Sequence, residues 1–206
     1  MRKDRLFWML MVSAVIFSFA LSGCGSSRPA KVYILSAAQP PATAAKGVIP
    51  SAPPATVGVG PIQIPDYLDR PQIVTRTAQH ELVVAQFDRW GGSLRHDITR
   101  VLLENLSALL PSDRASVVPW IRGGVLQYRV AVEVIRFDVT PGENVWLRAQ
   151  WTIFGQDGAV LLFQESNLKE PLSGRDYPSM VAAMSQALGS LSKEIANRLT
   201  SALSGK

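Results

Sequence analysis

The side chain with the most reactive chemistry in this sequence stands near its start. Cys24 is the single cysteine among 206 residues. A thiol attacks as the thiolate, which needs a neighbouring base or cation inside a formed pocket. Cys24 lies instead in the string Ala20-Leu-Ser-Gly-Cys-Gly-Ser-Ser27, which offers neither. With no second cysteine, the folded part can hold no disulfide. His80 and His96 are the two histidines, and without a Cys partner or ligand spacing between them no zinc site is expected. Ser93, His96 and Asp97 have the residue types of a hydrolytic triad. They fall within little more than one helical turn, whereas a triad presents its nucleophile against a separately supported base. Ser93 reads as a helix cap and Asp97 as surface charge. Gly58 and Gly60 lack the third glycine, the lysine and the following helix of a phosphate loop, and no Walker motif occurs, so any energy source would lie in another subunit. No catalytic residue, metal or cofactor is assigned, and the chain is expected not to be an enzyme.

Cys24 has a better use as an anchor. Met1-Arg-Lys-Asp-Arg5 is a short, net-positive start, and Leu6 to Leu21 follows as an apolar run. It is shorter than the roughly 20 residues a spanning helix prefers. Leu21-Ser22-Gly23-Cys24 resembles the lipobox of bacterial lipoproteins, with Leu three residues before the Cys and small residues between. Small side chains suit a narrow peptidase subsite, and the freed thiol can form a thioether to diacylglycerol. Residues 1–23 are therefore expected to be a signal peptide, and 24–30 an acylated start and short tether. One acyl chain holds only marginally, so durable attachment needs several. Such lipoproteins commonly stay in the inner membrane when Asp follows the Cys. Gly25 stands there instead, which implies export to the periplasmic face of the outer membrane.

The formal charge is +5, but removing Arg2, Lys3, Arg5 and Asp4 leaves 18 basic and 15 acidic residues, a net +3. No Lys/Arg run accompanies that excess, so nucleic acid is not an expected partner. Hydrophobic residues make up 47% and charged residues 18%, a balance that folds rather than staying disordered.

The elements that must position any functional residue are legible by periodicity. Lys31 to Ser36 reads as a strand, and Gln39 to Thr56 as a Pro/Ala-rich loop inside the domain. Val57 to Ile64 alternates as a strand. Pro65 to Pro71 is a turn-forming loop, and a hairpin of Gln72–Ala78 and Leu82–Gln86 follows. Ser93 begins a helix running to about Leu110, with the stripe Leu94, Ile98, Val101, Leu102, Leu106 and Leu109. Arg95, Arg100 and Glu104 face outward. Ser116 to Trp120 is a strand. Gln127–Phe137, Val145–Phe154 and Ala159–Ser166 read as an antiparallel meander, turned by Pro141-Gly142 and Asp157-Gly158. A final helix spans about Tyr177 to Leu203 with Val181, Met184, Leu188, Leu191 and Ile195 in register. The expected fold is a single α+β domain over residues 31–206, a mostly antiparallel, mixed sheet packed with two main amphipathic helices.

Three stretches together resemble the ABC-transport auxiliary lipoproteins of the paraquat-inducible (Pqi) type. They are Ile64-Pro-Asp-Tyr-Leu-Asp-Arg-Pro-Gln-Ile-Val-Thr-Arg76, Phe87-Asp-Arg-Trp90, and Tyr128 to Phe137 with Pro141-Gly142 and Leu147-Arg-Ala-Gln-Trp151. Relatives commonly carry Ala-Glu-Pro-Leu where this chain has Gly91-Gly92-Ser93-Leu94. The resemblance implies a non-catalytic lipoprotein that works with a mammalian-cell-entry (MCE) type periplasmic protein. Such systems move lipid, phospholipid included, between the two membranes and support envelope integrity. Tyr67, Leu68, Arg70, Pro71, Arg89 and Trp90 are the candidate partner contacts, since Trp and Arg favour interface anchoring, though each also packs well within a fold. Ring or other homo-oligomer formation would suit docking on a tubular partner. The competing reading is a free-standing structural lipoprotein that assists another envelope complex.

Overall fold

The computed structural model describes residues 8, 11, 28–38, 53–121 and 125–204. The eight strands are β1 (Lys31–Tyr33), β2 (Ala55–Gln63), β3 (Gln72–Ala78), β4 (Glu81–Trp90), β5 (Ala115–Pro119), β6 (Tyr128–Thr140), β7 (Asn144–Gly155) and β8 (Val160–Pro171). Two helices complete the domain: α1 (Leu94–Leu109) between β4 and β5, and α2 (Tyr177–Ser204) at the end. The strands divide into two sheets, ordered β1-β4-β3 and β5-β2-β6-β7-β8. Both are mixed. β1 runs parallel to β4, and β2 parallel to β5 and β6, while β3–β4, β6–β7 and β7–β8 are antiparallel.

The periodicity explains which faces are covered. Tyr128, Val130, Val132 and Val134 alternate inward on β6, as do Val145, Leu147, Ala149, Trp151 and Ile153 on β7. α1 packs over β2 and β5, α2 over β6, β7 and β8, and the helices touch each other. The α1 stripe is buried at Leu94, Ile98, Val101, Leu102 and Leu106, while Leu109 is only partly buried. Leu188, Leu191, Ile195 and Leu199 of α2 are fully buried. On the sheet's other face, cations lie over rings and shield them from water. Arg129 sits 4.0 Å from the centroid of Phe154, and Lys169 4.8 Å from that of Trp146.

A register shift at Ile135 changes the parity of β6. Beyond it the inward residues are Phe137 and Val139, both fully buried. Arg136 and Asp138 therefore share the opposite face, where β3 of the small sheet packs against β6. Another shift, between Val59 and Ile62, falls at Gly60. Gly60 has φ +123°, and a Cβ there would lie 2.1 Å from Trp120 Cδ1. Its role is to admit the Trp120 indole.

Three expectations are corrected. The first strand ends at Tyr33, and residues 34–38 leave the sheet. β4 and β8 run further than their apolar content implied, to Trp90 and Pro171. Ser93 does occupy the N-cap position of α1, but its side chain makes no capping hydrogen bond.

Candidate functional site

The most specific stretch of the sequence, Ile64 to Arg76, folds around one buried carboxylate. Asp138 is 2% exposed. The Tyr67 hydroxyl donates to its Oδ1 at 2.8 Å, and Arg76 Nε and Arg136 Nε donate to Oδ2 at 2.5 and 2.8 Å. Two guanidinium groups and a phenol together meet the charge that burial would otherwise leave unpaired. Burial, reinforced by the bond to Asp138, pushes the Tyr67 phenol up to about 12. Tyr67 comes from the Pro65–Pro71 loop, Arg76 from β3, and Asp138 from β6 just past the bulge. The cluster thus rivets the small sheet to the large one.

The six candidate contact residues separate by exposure. Leu68 and Trp90 are 3% and 7% exposed and belong to the core. Tyr67 is half-buried on Asp138. Arg70, Pro71 and Arg89 are exposed, and the backbone brings them together: Trp90 N donates to Pro71 O at 2.7 Å, and Arg89 pairs with Gln72 on one side and Val32 on the other. Val32 and Ile34 lie beside them at 64% and 62% exposure. A Cβ on Gly91 would come within 2.8 Å of Ile34 Cγ2. Gly91 therefore leaves room for Ile34.

On the opposite face of β1, Lys31 and Tyr33 border a shallow cleft of about 320 Å³ together with Arg28, Phe87, Asp88, Arg175 and Tyr177. The Tyr33 hydroxyl donates to Asp88 at 2.8 Å, and Asp176 accepts from Ser179 N at 3.2 Å. Hydrogen bonds from Ser179, aided by the nearby charge of Lys31, hold the Asp176 carboxyl below its ordinary range.

Asp97 is not a free surface charge. Its Oδ2 accepts from Leu35 N at 2.6 Å, and its Oδ1 pairs with Arg100. Arg100 Nη2 in turn donates to Leu35 O at 2.5 Å. Ser93 and His96 are exposed on the same helix, and the carboxylate that a triad would need is spent on residue 35. Further along, Ser36 N donates to Ser185 Oγ at 3.1 Å and Ala38 N to Asn105 Oδ1 at 3.0 Å. Residues 34–38 form a strap across α1 and α2, with Leu35 fully buried beneath it. Asp97, Arg100, Asn105 and Ser185 are positioning residues that sequence reasoning missed. One signal was available: Asn105 interrupts the apolar face of α1 between Leu102 and Leu106.

Among the described residues, no group of three His, Cys, Asp or Glu could hold a metal, and no helix is long and apolar enough to cross a membrane. Cys24, the lipobox residues Leu21, Ser22 and Gly23, and Gly25 lie outside the described residues, as does most of the Pro/Ala-rich loop.

Fold and site define a two-sheet α+β domain with exposed Arg28, Lys31 and Arg175 bordering one cleft at the start of β1. The chain belongs to the family of ABC-type transport auxiliary lipoprotein components, whose model matches residues 33–196. It is similar in fold to two solved structures. One, described as an uncharacterized protein, has TM-score 0.69 and 22% identity, covering 84% of this chain and 99% of its own. The other, from Xanthomonas campestris, has TM-score 0.62 and 20% identity, covering 81% and 93%. Comparison with curated proteins gives no match.

Proposed function

We propose that the protein is a non-catalytic, lipid-anchored accessory subunit of an MCE-type system that moves lipid between membranes. In this reading it sits on the periplasmic face of the outer membrane, held by acyl chains on Cys24. The observation that carries the reading is where the family match begins. It starts at Tyr33, nine residues after Cys24, and runs through to α2. Six residues of tether, Gly25 to Ala30, reach only about 20 Å when extended, so the whole domain stays near its anchor. The polar groups of the fold also support it: Asp138, Asp97 and Asn105 are spent on joining elements. Arg70, Pro71 and Arg89 remain outward as the partner-facing surface.

Crosslinking in intact envelopes, followed by purification of the protein, tests this. An MCE-type protein is the expected product, and its yield should fall in Arg70→Glu/Arg89→Glu with folding unchanged. Repeated recovery of unrelated partners alone would overturn the reading.

A further inference from the structure

Three exposed cations stand together beside the tether, outside the ion pairs that several arginines of the fold form. Arg76, Arg95, Arg100, Arg136 and Arg148 each form an ion pair. Among the described residues, none forms a salt bridge with Arg28, Lys31 or Arg175, although the charge of Lys31 acts on Asp176. All three are exposed and border one cleft. The two carboxylates there, Asp88 bonded by the Tyr33 hydroxyl and Asp176 by Ser179, keep their charge, but the three cations outnumber them. Three elements deliver the cations to one spot. Arg28 and Lys31 flank the start of β1. Arg175 precedes α2 and lies over the β6–β7 turn, where a Cβ on Gly142 would come within 2.7 Å of its Nε.

Chain length fixes what this cluster can face. Arg28 is four residues from Cys24, a reach of about 14 Å at full extension. A surface that holds Cys24 by its acyl chains must lie within that distance of the cluster. We propose that Arg28, Lys31 and Arg175 rest on the anionic phospholipid head groups of the bilayer in which the Cys24 chains are embedded, a second contact that sets the domain's orientation. The proposal rests on the lipid-anchored reading of Cys24. Phosphate groups supply the acceptors that exposed guanidinium and ammonium groups lack here. A cation near an anionic membrane surface gains roughly fivefold in affinity, too little to hold a protein alone but enough to orient a tethered one.

The test uses the full chain purified from membranes and placed on vesicles of phosphatidylcholine, with or without phosphatidylglycerol. Mass spectrometry of its N-terminal peptide reports acylation, and hydrogen exchange reports contact at residues 28–36 and 172–178. The expected result is an acylated Cys24 and exchange slowed roughly fivefold on the anionic vesicles only. High salt should abolish the slowing, as should Arg28→Gln/Lys31→Gln/Arg175→Gln. An acylated chain with equal exchange on both vesicles would overturn this proposal and leave the anchor standing. A chain without acyl mass would overturn both. Slowing by inorganic phosphate alone, without vesicles, would also overturn it by assigning the cleft to a soluble anion.

Discussion

Asp138 shows how a residue typical of a surface becomes central to a fold. A carboxylate this deeply buried is tolerable only with full hydrogen-bonding compensation, and Tyr67, Arg76 and Arg136 provide it. Tyr67→Phe removes a bond to a charged acceptor and should lower the unfolding free energy by about 1.5 kcal/mol, read from urea midpoints. It should also change the alkaline limb. With the phenol raised from 10.0 to about 12, the folded state keeps a proton that the unfolded state has released, so stability is full below pH 10 and declines toward pH 12. The variant should decline less steeply across that window. Tyr33, also pushed up to about 12 by burial and by Asp88, accounts for part of the slope that persists. None of this was readable from Ile64–Arg76 alone. The resemblance marked the stretch as specific, but its partner lies 62 residues from Arg76, beyond a bulge that no local pattern announces.

At the scale of elements, long amphipathic segments were the most legible. The α2 range and the β6–β7–β8 meander follow from apolar spacing and from Pro141-Gly142 and Asp157-Gly158, because burial of one face dictates the period. The division into two sheets was not legible, since pairing partners across long separations leave no trace in local periodicity. Nor was the strap. Residues 34–36 continue the β-like composition of β1, yet the amides of Leu35 and Ser36 are taken by side chains of α1 and α2 rather than by another strand. Gly189 makes that seat possible, as a Cβ there would fall 2.4 Å from Ala38 Cβ. Gly189→Ala should favour helix by about 1 kcal/mol while lifting the strap. Amide exchange at Ser36 and Ala38 is expected to quicken about tenfold, the loss of roughly one hydrogen bond, with α2 no less protected than before.

On the scale of the whole molecule, the expected anchor at Cys24 is close in sequence to the start of β1. The resemblance of Leu21–Cys24 to a lipobox is a local signal and needs no fold to be read. The grouping of Arg70, Pro71 and Arg89 beside Val32 had to wait for the fold, since it takes β1, β4 and the Pro65–Pro71 loop together. Sorting is testable at this scale. Gly25→Asp should move the protein from outer- to inner-membrane fractions on a density gradient while leaving the acylated mass of Cys24 unchanged apart from the substitution. Continued outer-membrane recovery would show that the residue after the cysteine does not direct it.

The strap has a mechanical consequence. β1 runs parallel to β4, so a pull on the chain's first residues acts along the strand and across its hydrogen bonds. The bonds are then stressed together in shear rather than unzipped one after another. Behind them, Leu35 is wedged under the strap and held by Asp97 and Arg100, so tension passes straight into the helix pair. Load arriving at the start of the domain must first shear β1 from β4 and then draw the buried Leu35 from its seat on the helices.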